Sequence, residues 1–168
     1  METFEALYAR RSVRNYKSDP VPRADLEKIL DVGRLAASGR NDQPWVFMAI
    51  DDVELKAKIA AETAYGRFIA QGGACIAIFS ERGARFSVED CSAACQNIML
   101  AATALGYGSC WVNAHNTTHN APVEAILKCP TDYELVILLA LGVPEDTLPA
   151  RAQKKPLSEV LRFNAQWE

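Results

Sequence analysis

Three features of many proteins are missing from this 168-residue chain, and each absence argues against a class of function. No apolar run comes close to the ~20 residues that a membrane helix needs, so we expect no membrane partner. The formal net charge of −3 gives no basic footprint, which argues against a nucleic-acid partner. The N-terminus carries Glu2 and Glu5 where a signal peptide needs bases and an apolar core, which predicts a cytoplasmic protein.

Common nucleotide and metal motifs are absent as well. No Gly-x-Gly-x-x-Gly follows a predicted strand and there is no phosphate-loop lysine motif, so a Rossmann site is not predicted. His115 and His119 have the spacing of a metal pair, but the Asn-Thr-Thr between them is a poor helix former, and we predict no metal site. The five cysteines are scattered and odd in number, which in a reducing compartment predicts buried thiols.

Charged side chains are missing from Cys91 to Val123. The first part of this stretch predicts a helix over residues 89–105. Its ends have suitable residues, with Ser87 as the cap, Glu89 and Asp90 in the first turn and Gly106 at the end. Because this helix has no charged face after Cys91, we expect it to be the central helix, buried all round, and a candidate subunit contact.

Apolar periodicity and turn residues predict the other elements. Helices are expected over residues 3–10, 22–37, 52–64 and 122–127, and strands over residues 45–50, 74–79, 109–114 and 133–141. The strands are near-continuous apolar runs, which require cover on both faces of a sheet. We therefore expect one domain over residues 1–168, of α/β or α+β class, with a sheet of four or five strands.

Two basic segments could bind an anion. Four cations fall within residues 10–17, and a second basic loop at residues 150–157 contains Arg151, Lys154 and Lys155. From charge alone, a solvated basic loop is the favoured interpretation of the first segment. The alternative is an anion site, because arginine side chains match phosphate oxygens in pairs and Ser12 adds a hydroxyl donor.

A polar loop, Ser-Gly-Arg-Asn-Asp-Gln-Pro-Trp, occupies residues 38–45. Its composition predicts a turn, and a polar loop that ends a helix explains Ser38 and Gly39. That interpretation explains Gln43 less well, since this side chain stands just before a Pro-Trp pair. Ser38, Asn41 and Gln43 offer both donors and acceptors, which indicates a hydrogen-bonding role for the loop.

Several stretches together resemble the FMN-dependent nitroreductase family in its compact form. Residues 10–14, Arg-Arg-Ser-Val-Arg, resemble the family's opening Arg-x-Ser-x-Arg/Lys signature. Residues 37–45 are similar to its Pro-Ser-x-x-Asn-x-Gln-Pro-Trp loop, with Ala37 in place of the proline. Residues 90–112, Leu-Gly-Val-Pro at residues 141–144 and the basic tail before Pro156 also fit, in the family's order along nearly the whole chain.

The resemblance implies a three-layer α+β fold with a mixed sheet of four to five strands, in an obligate homodimer with FMN at each subunit interface. Arg10, Ser12 and tail bases, Lys154 first and Lys155 second, would hold the phosphate, and Arg14 would lie near the flavin pyrimidine edge. Ser38, Asn41 and Gln43 would bind flavin, some from the partner subunit. The full set of candidate cofactor contacts is Arg10, Arg11, Ser12, Arg14, Ser38, Arg40, Asn41, Gln43, Cys110, Trp111, Val112, Asn113, Lys154 and Lys155.

The function implied is an FMN-containing oxidoreductase that takes hydride from NADH or NADPH and reduces a small-molecule electron acceptor of the nitroaromatic or quinone type by a ping-pong mechanism. The flavin carries this chemistry, so no catalytic side chain is required beyond a cation such as Arg14 that supports the reduced flavin. Two alternatives stay open. One is a flavin-fragmenting or dehalogenating enzyme on the same fold, and the other is a flavin-binding redox protein without significant turnover.

Overall fold

The chain alternates helices and strands, and a computed structural model describes residues 2–164. The helices are α1 (Thr3–Ala9), α2 (Arg23–Gly33), α3 (Val53–Glu62), α4 (Ser87–Ala104), α5 (Asn120–Ile126) and α6 (Leu157–Val160). The strands are β1 (Trp45–Ile50), β2 (Ala74–Glu81), β3 (Gly108–Asn113) and β4 (Tyr133–Gly142). Short 3₁₀ helices cover Gly39–Asn41 and Arg67–Gln71. Within the described residues, no helix is both long and apolar enough to cross a membrane.

The four strands form one sheet in the order β1-β2-β4-β3, and every pair of neighbours is antiparallel. The predicted α+β class and strand number are confirmed, but the expectation of a mixed sheet is wrong for these strands. Helices α3 and α5 return the chain to an antiparallel neighbour, while the connection through α4 joins β2 to β3 across β4. Parallel pairing is limited, in the described residues, to an isolated bridge between Ser12 and Ser109.

The sheet has helices on both faces, which makes the three layers. Helices α2 and α4 cover one face, where the core contains Ile29, Ile76 and Ile98. Helices α3 and α5 and the 3₁₀ helix Arg67–Gln71 cover the other, around residues such as Ile59. The central strands β2 and β4 are buried almost end to end, which is why their sequences are continuous apolar runs rather than alternating ones.

Helix α4 lies at the centre, as predicted, but its own subunit does not enclose it. One side is buried against the sheet and α2, including Ala94, Cys95 and Ile98. The opposite side is half-buried or exposed; its residues are Ala93, Gln96, Asn97, Leu100 and Ala104, which we call the α4 stripe. The expectation that α4 is buried all round is therefore wrong within one subunit, because the sheet and α2 cover only one side of it.

The ends of α4 agree with the sequence in part. Glu89 and Asp90 lie in the first turn and Gly106 follows the last turn with a φ of 88°, as expected of a left-handed helix end. The expected cap is wrong, because the helix begins at Ser87 itself and the capping position is Phe86. A cap residue must stay outside the helix, and Ser87 is instead a buried first-turn residue.

Two further apolar surfaces face outward in the described chain. On α1, Phe4 and Tyr8 are 73% and 62% exposed. In and after α6, Leu157 and Phe163 are 68% and 67% exposed. Phe4, Leu7 and Tyr8 recur at helical spacing along α1, and all three side chains are exposed in the described subunit.

Candidate functional site

The N-terminal basic segment is fixed along the exposed edge of β3. The Val13 amide donates to the Ser109 carbonyl at 3.0 Å, next to the Ser12–Ser109 bridge. The close approach requires glycine at position 108, since a Cβ there would come within 2.8 Å of the Val13 side chain. The backbone therefore holds the side chains of Arg10, Ser12 and Arg14 at a defined place beside the sheet.

A cavity of about 270 Å³ lies between this segment and the basic tail. The charged or hydroxyl residues that line it are Arg10, Arg11, Ser12, Arg14, Arg151 and Lys154, and none of its described lining residues is acidic. Cations from two distant parts of the sequence thus converge on one small space. This arrangement favours the anion site over the solvated loop, because converging guanidinium and ammonium donors match a phosphate group.

Arg10 and Arg11 have different roles in this cavity. The Arg11 Nη1 atom donates to the carbonyls of Tyr8, Ala9 and Arg10 at 2.7, 2.8 and 3.1 Å, so its guanidinium satisfies the open end of α1. The Arg10 guanidinium makes no hydrogen bond to any described residue and lines the cavity with its donors available. The two arginines were both candidates from sequence, and the geometry separates them.

The tail reaches the same cavity through Arg151 and Lys154. The Arg151 guanidinium carbon lies 5.2 Å from the centre of the Tyr8 ring, a cation–π distance that holds the tail against α1. Lys154, our first choice for a phosphate contact, lines the cavity, whereas Lys155 does not. Arg151 was not among the predicted contacts, since nothing in the sequence distinguishes it from the other tail bases.

A larger cavity of about 650 Å³ adjoins the first, and Arg14 lines both. Its lining includes the aromatic residues Tyr65, Phe68 and Trp111, and its size is within the usual range for a small-molecule site. Arg14 stands at the junction, with its guanidinium carbon 5.8 Å from the Phe68 ring centre and Nη1 donating to the Ser12 carbonyl at 3.3 Å. The two cavities together suit an elongated ligand with a flat ring at one end and an anionic group at the other.

Strand β3 forms one wall of the larger cavity. Trp111, Val112 and Asn113, which the resemblance implies as flavin contacts, line it. Cys110 does not line it, because its side chain is buried beneath the wall. Burial raises the pKa of the Cys110 thiol, although Arg14 and Arg10 oppose the shift. A protonated, buried thiol at this position is a packing residue rather than a nucleophile.

The other buried cysteines have the same character. Burial raises the pKa of Cys75 and of Cys91 to about 12, and it also raises the pKa of Cys95. All are free thiols, and the prediction of small buried hydrophobic residues is confirmed for them. Among the described residues no group of three or more histidine, cysteine or acidic side chains could hold a metal ion.

The polar loop at residues 38–43 lies outside both cavities. Neither Ser38, Arg40, Asn41 nor Gln43 lines either space in the described subunit. Three of these residues have left-handed backbone angles, with φ of 56° at Arg40, 62° at Asn41 and 49° at Gln43. Such angles are costly outside glycine and persist where the surroundings impose them, often at ligand sites.

Two contacts impose the shape of this loop. The Gly39 amide donates to Asp90 Oδ1 at 3.0 Å, and Asp90 is buried in the first turn of α4. The backbone amide of Gln43 donates to Ser38 Oγ at 3.1 Å. The loop is therefore a preformed and exposed projection, with the Asn41 and Gln43 side chains at the surface of the subunit.

Several cavity residues were not predicted from the sequence. Tyr65 and Phe68 lie between the helix predicted over residues 52–64 and the strand predicted over residues 74–79. Thr117 and His119 belong to a polar loop that the sequence analysis considers only for metal binding. The sequence gives only a weak signal for these residues. It consists of aromatic and hydroxyl side chains in the two connections that reach β3 from the same face of the sheet. Such connections carry no periodic pattern that would mark them.

Comparisons with known proteins agree with this geometry. The model of the nitroreductase family matches residues 7–66 and 60–143. The chain is 32% identical over 151 residues to a candidate NADH dehydrogenase/NAD(P)H nitroreductase of Archaeoglobus fulgidus, covering 86% of this chain and 87% of that protein. It is 29% identical over 187 residues to the iodotyrosine deiodinase of Thermotoga neapolitana, covering 96% and 97% of the two chains.

The fold also matches solved structures. An FMN-dependent nitroreductase of Clostridium difficile superposes with a TM-score of 0.89 at 27% identity, over 96% of this chain and 98% of that one. The correspondence therefore includes both basic segments, the polar loop and the sheet.

Proposed function

Because the chain belongs to the nitroreductase family, we propose that it is an FMN-dependent oxidoreductase that accepts hydride from NADH or NADPH and reduces a nitroaromatic or quinone-type acceptor. The observation that carries the proposal is the pair of cavities joined at Arg14. The smaller one offers only cationic and neutral side chains, and the larger one has aromatic walls.

The residues present fit FMN. Its phosphate carries about two negative charges, which Arg10, Lys154 and Arg151 can neutralise together while Ser12 donates a hydrogen bond. Its flat ring would lie in the larger cavity against Trp111–Asn113 of β3, with Arg14 at the ring's polar edge. FMN supplies the hydride chemistry when bound, and the chain supplies position, charge and exclusion of water.

The proposed site uses two subunits. The exposed Asn41 and Gln43 side chains reach no cavity of their own subunit, yet their loop is held in a strained and fixed conformation. The uncharged α4 stripe and the exposed apolar faces of α1 and α6 are surfaces available for a second copy. A twofold dimer that buries these surfaces would bring each loop to the partner's larger cavity.

A direct assay tests the proposed activity. Under anaerobic conditions, purified protein loaded with FMN should turn over NADH or NADPH continuously only when an acceptor such as menadione or nitrobenzene is present. Without an acceptor, each bound FMN should accept a single hydride. Initial rates at varied concentrations of both substrates should give the parallel double-reciprocal lines of a ping-pong mechanism. A protein that binds no FMN, or whose bound FMN neither nicotinamide reduces, would contradict the proposal. The second result would favour a redox protein without turnover.

Reductive dehalogenation is a second candidate, because the Thermotoga neapolitana relative is named an iodotyrosine deiodinase and covers nearly the whole chain. The same protein preparation, chemically reduced and mixed with 3-iodotyrosine, distinguishes the two. Iodide release at a rate comparable to nitroaromatic reduction would favour the dehalogenating alternative, and its absence would favour the first proposal.

A substitution at Arg14 tests the role of the junction. Arg14→Gln should lower the midpoint potential of bound flavin by about 30 mV or more, because a lost charge-assisted hydrogen bond of about 1.5 kcal/mol corresponds to roughly 30 mV for two electrons. Arg14→Lys keeps the positive charge and should stay nearer the wild-type potential. Spectroscopic redox titration of the three proteins measures this, and equal potentials would remove Arg14 from the role.

A further inference from the structure

The larger cavity has one polar rim, formed by Asn113, Thr117 and His119. These residues line only the larger cavity, whereas Arg14 is at the junction with the smaller one. The rim therefore belongs to the part of the larger cavity that is not shared with the smaller one. The hydrogen-bonding state of its three side chains decides which chemical groups it can recognise.

Thr117 and His119 each donate to a backbone carbonyl, and Asn113 uses one of its two amide N–H donors in the same way. His119 Nε2 lies 2.9 Å from the Asn113 carbonyl oxygen, and since a carbonyl only accepts, this nitrogen carries the proton. The Thr117 hydroxyl donates to the Ala114 carbonyl at 2.7 Å. The Asn113 amide nitrogen donates to the His115 carbonyl at 3.0 Å, which fixes the orientation of that amide.

In the Nε2–H tautomer that the contact with the Asn113 carbonyl selects, His119 retains the lone pair of Nδ1, and Thr117 retains the lone pairs of Oγ1. Asn113 retains Oδ1 and also its second N–H donor. None of these three atoms has a hydrogen-bond donor among the described residues. At Thr117 and His119 the rim therefore offers acceptors, in contrast to the donor-rich smaller cavity.

We propose that this rim selects aromatic acceptors that carry a hydrogen-bond donor, such as a hydroxyl or amino group, on the side away from the reducible group. The inference rests on the proposed function, since it names the substrate class of the same site. A flat ring would stack on the aromatic wall while its hydroxyl donates to Thr117 or His119. An analogue without the donor would displace water from the rim's acceptor atoms and give them no hydrogen bond in return, which weakens the binding of that analogue.

The test compares 4-nitrobenzyl alcohol with its methyl ether, in which a methyl group replaces the hydroxyl hydrogen, by calorimetric titration of oxidised FMN-loaded protein. Wild-type protein should bind the alcohol about fivefold more tightly than the ether, as expected of one neutral hydrogen bond. Thr117→Val and His119→Gln should each bring the ratio of the two dissociation constants towards one. The glutamine amide can still donate to Asn113 from the Nε2 position, so it keeps the loop contact while the Nδ1 acceptor is lost.

Matched controls separate recognition from loop stability. His115→Gln changes the other histidine of the same loop, whose Nε2 contacts Asn116 and which does not line the cavity, and it should leave the ratio unchanged. Thr117→Ser keeps the hydroxyl and should restore the preference. Equal affinities of wild type for both probes, no binding of either, or a ratio unaffected by both rim variants would overturn the inference. The calorimetry needs no turnover, so failure of the proposed activity is a separate result in the NAD(P)H assay.

Discussion

Leu100→Glu should convert the proposed flavin-containing dimer into a flavin-free monomer. Leu100 lies in the α4 stripe, half-buried in its own subunit, so a glutamate there can reach water in the monomer. In the proposed dimer the same side chain would be an unpaired buried charge, at a cost of several kcal/mol. Because the partner's loop at residues 38–43 completes the proposed site, loss of the dimer removes flavin as well.

Light scattering coupled to size exclusion, with flavin absorbance read on each peak, measures both quantities at once. Val53→Glu is the matched control: it adds the same charge to an apolar residue that is 70% exposed, at the start of α3 on the other face of the sheet, and should remain a yellow dimer. Ala94 is unsuitable for this purpose, since it is fully buried inside the subunit and a charge there would unfold it. A Leu100→Glu monomer that keeps full flavin absorbance would disprove the shared site.

Arg10→Ala should weaken FMN binding about ten- to a hundredfold, while Arg11→Ala should weaken it far less. Arg10 offers unused donors to the smaller cavity, and a lost charge-assisted hydrogen bond is worth about 1.5–3 kcal/mol. Arg11 is occupied with the three carbonyls at the end of α1. Its loss should instead lower the melting temperature of the flavin-free protein, because α1 loses its C-terminal cap.

Riboflavin provides the control ligand for this pair, since it lacks the phosphate. Fluorescence titration with FMN and riboflavin should show that Arg10→Ala loses affinity for FMN and hardly any for riboflavin. Equal losses of FMN affinity in the two variants would place the phosphate elsewhere. A matching loss of riboflavin affinity in Arg10→Ala would mean that this arginine supports the fold of the site rather than the phosphate.

The sequence by itself determined the layered architecture. Strands β2 and β4 are continuous apolar runs, and only a sheet covered on both faces can bury such runs, so the helices between strands had to lie on both sides. The left-handed turn at Gly106 that ends α4 is also predictable from the sequence, because glycine is the residue type that most readily adopts this backbone conformation. These features follow from residue type and periodicity, and both are properties of the amino-acid sequence.

Strand direction and the faces of α4 were decided by tertiary structure. A helix between two strands suits a parallel crossover, yet α3 and α5 connect antiparallel neighbours here, and the sequence of a helix does not state where its chain returns. The lack of charge along α4 likewise predicted burial without distinguishing the side packed on the sheet from the α4 stripe. Both outcomes depend on which elements meet, and that is set by the whole packing arrangement.

The candidate site likewise has some features that the sequence predicts and others that only the folded chain shows. Basic segments at residues 10–14 and 150–157 were visible as candidate anion ligands because charge is a property of composition. Only the folded chain shows that Arg11 is bound to α1 while Arg10 faces the cavity, and that the donors of Thr117 and His119 are already committed. Hydrogen-bond commitment depends on neighbours brought together by folding, so residue type alone gives the capacity to bind and the tertiary structure decides which atoms remain available.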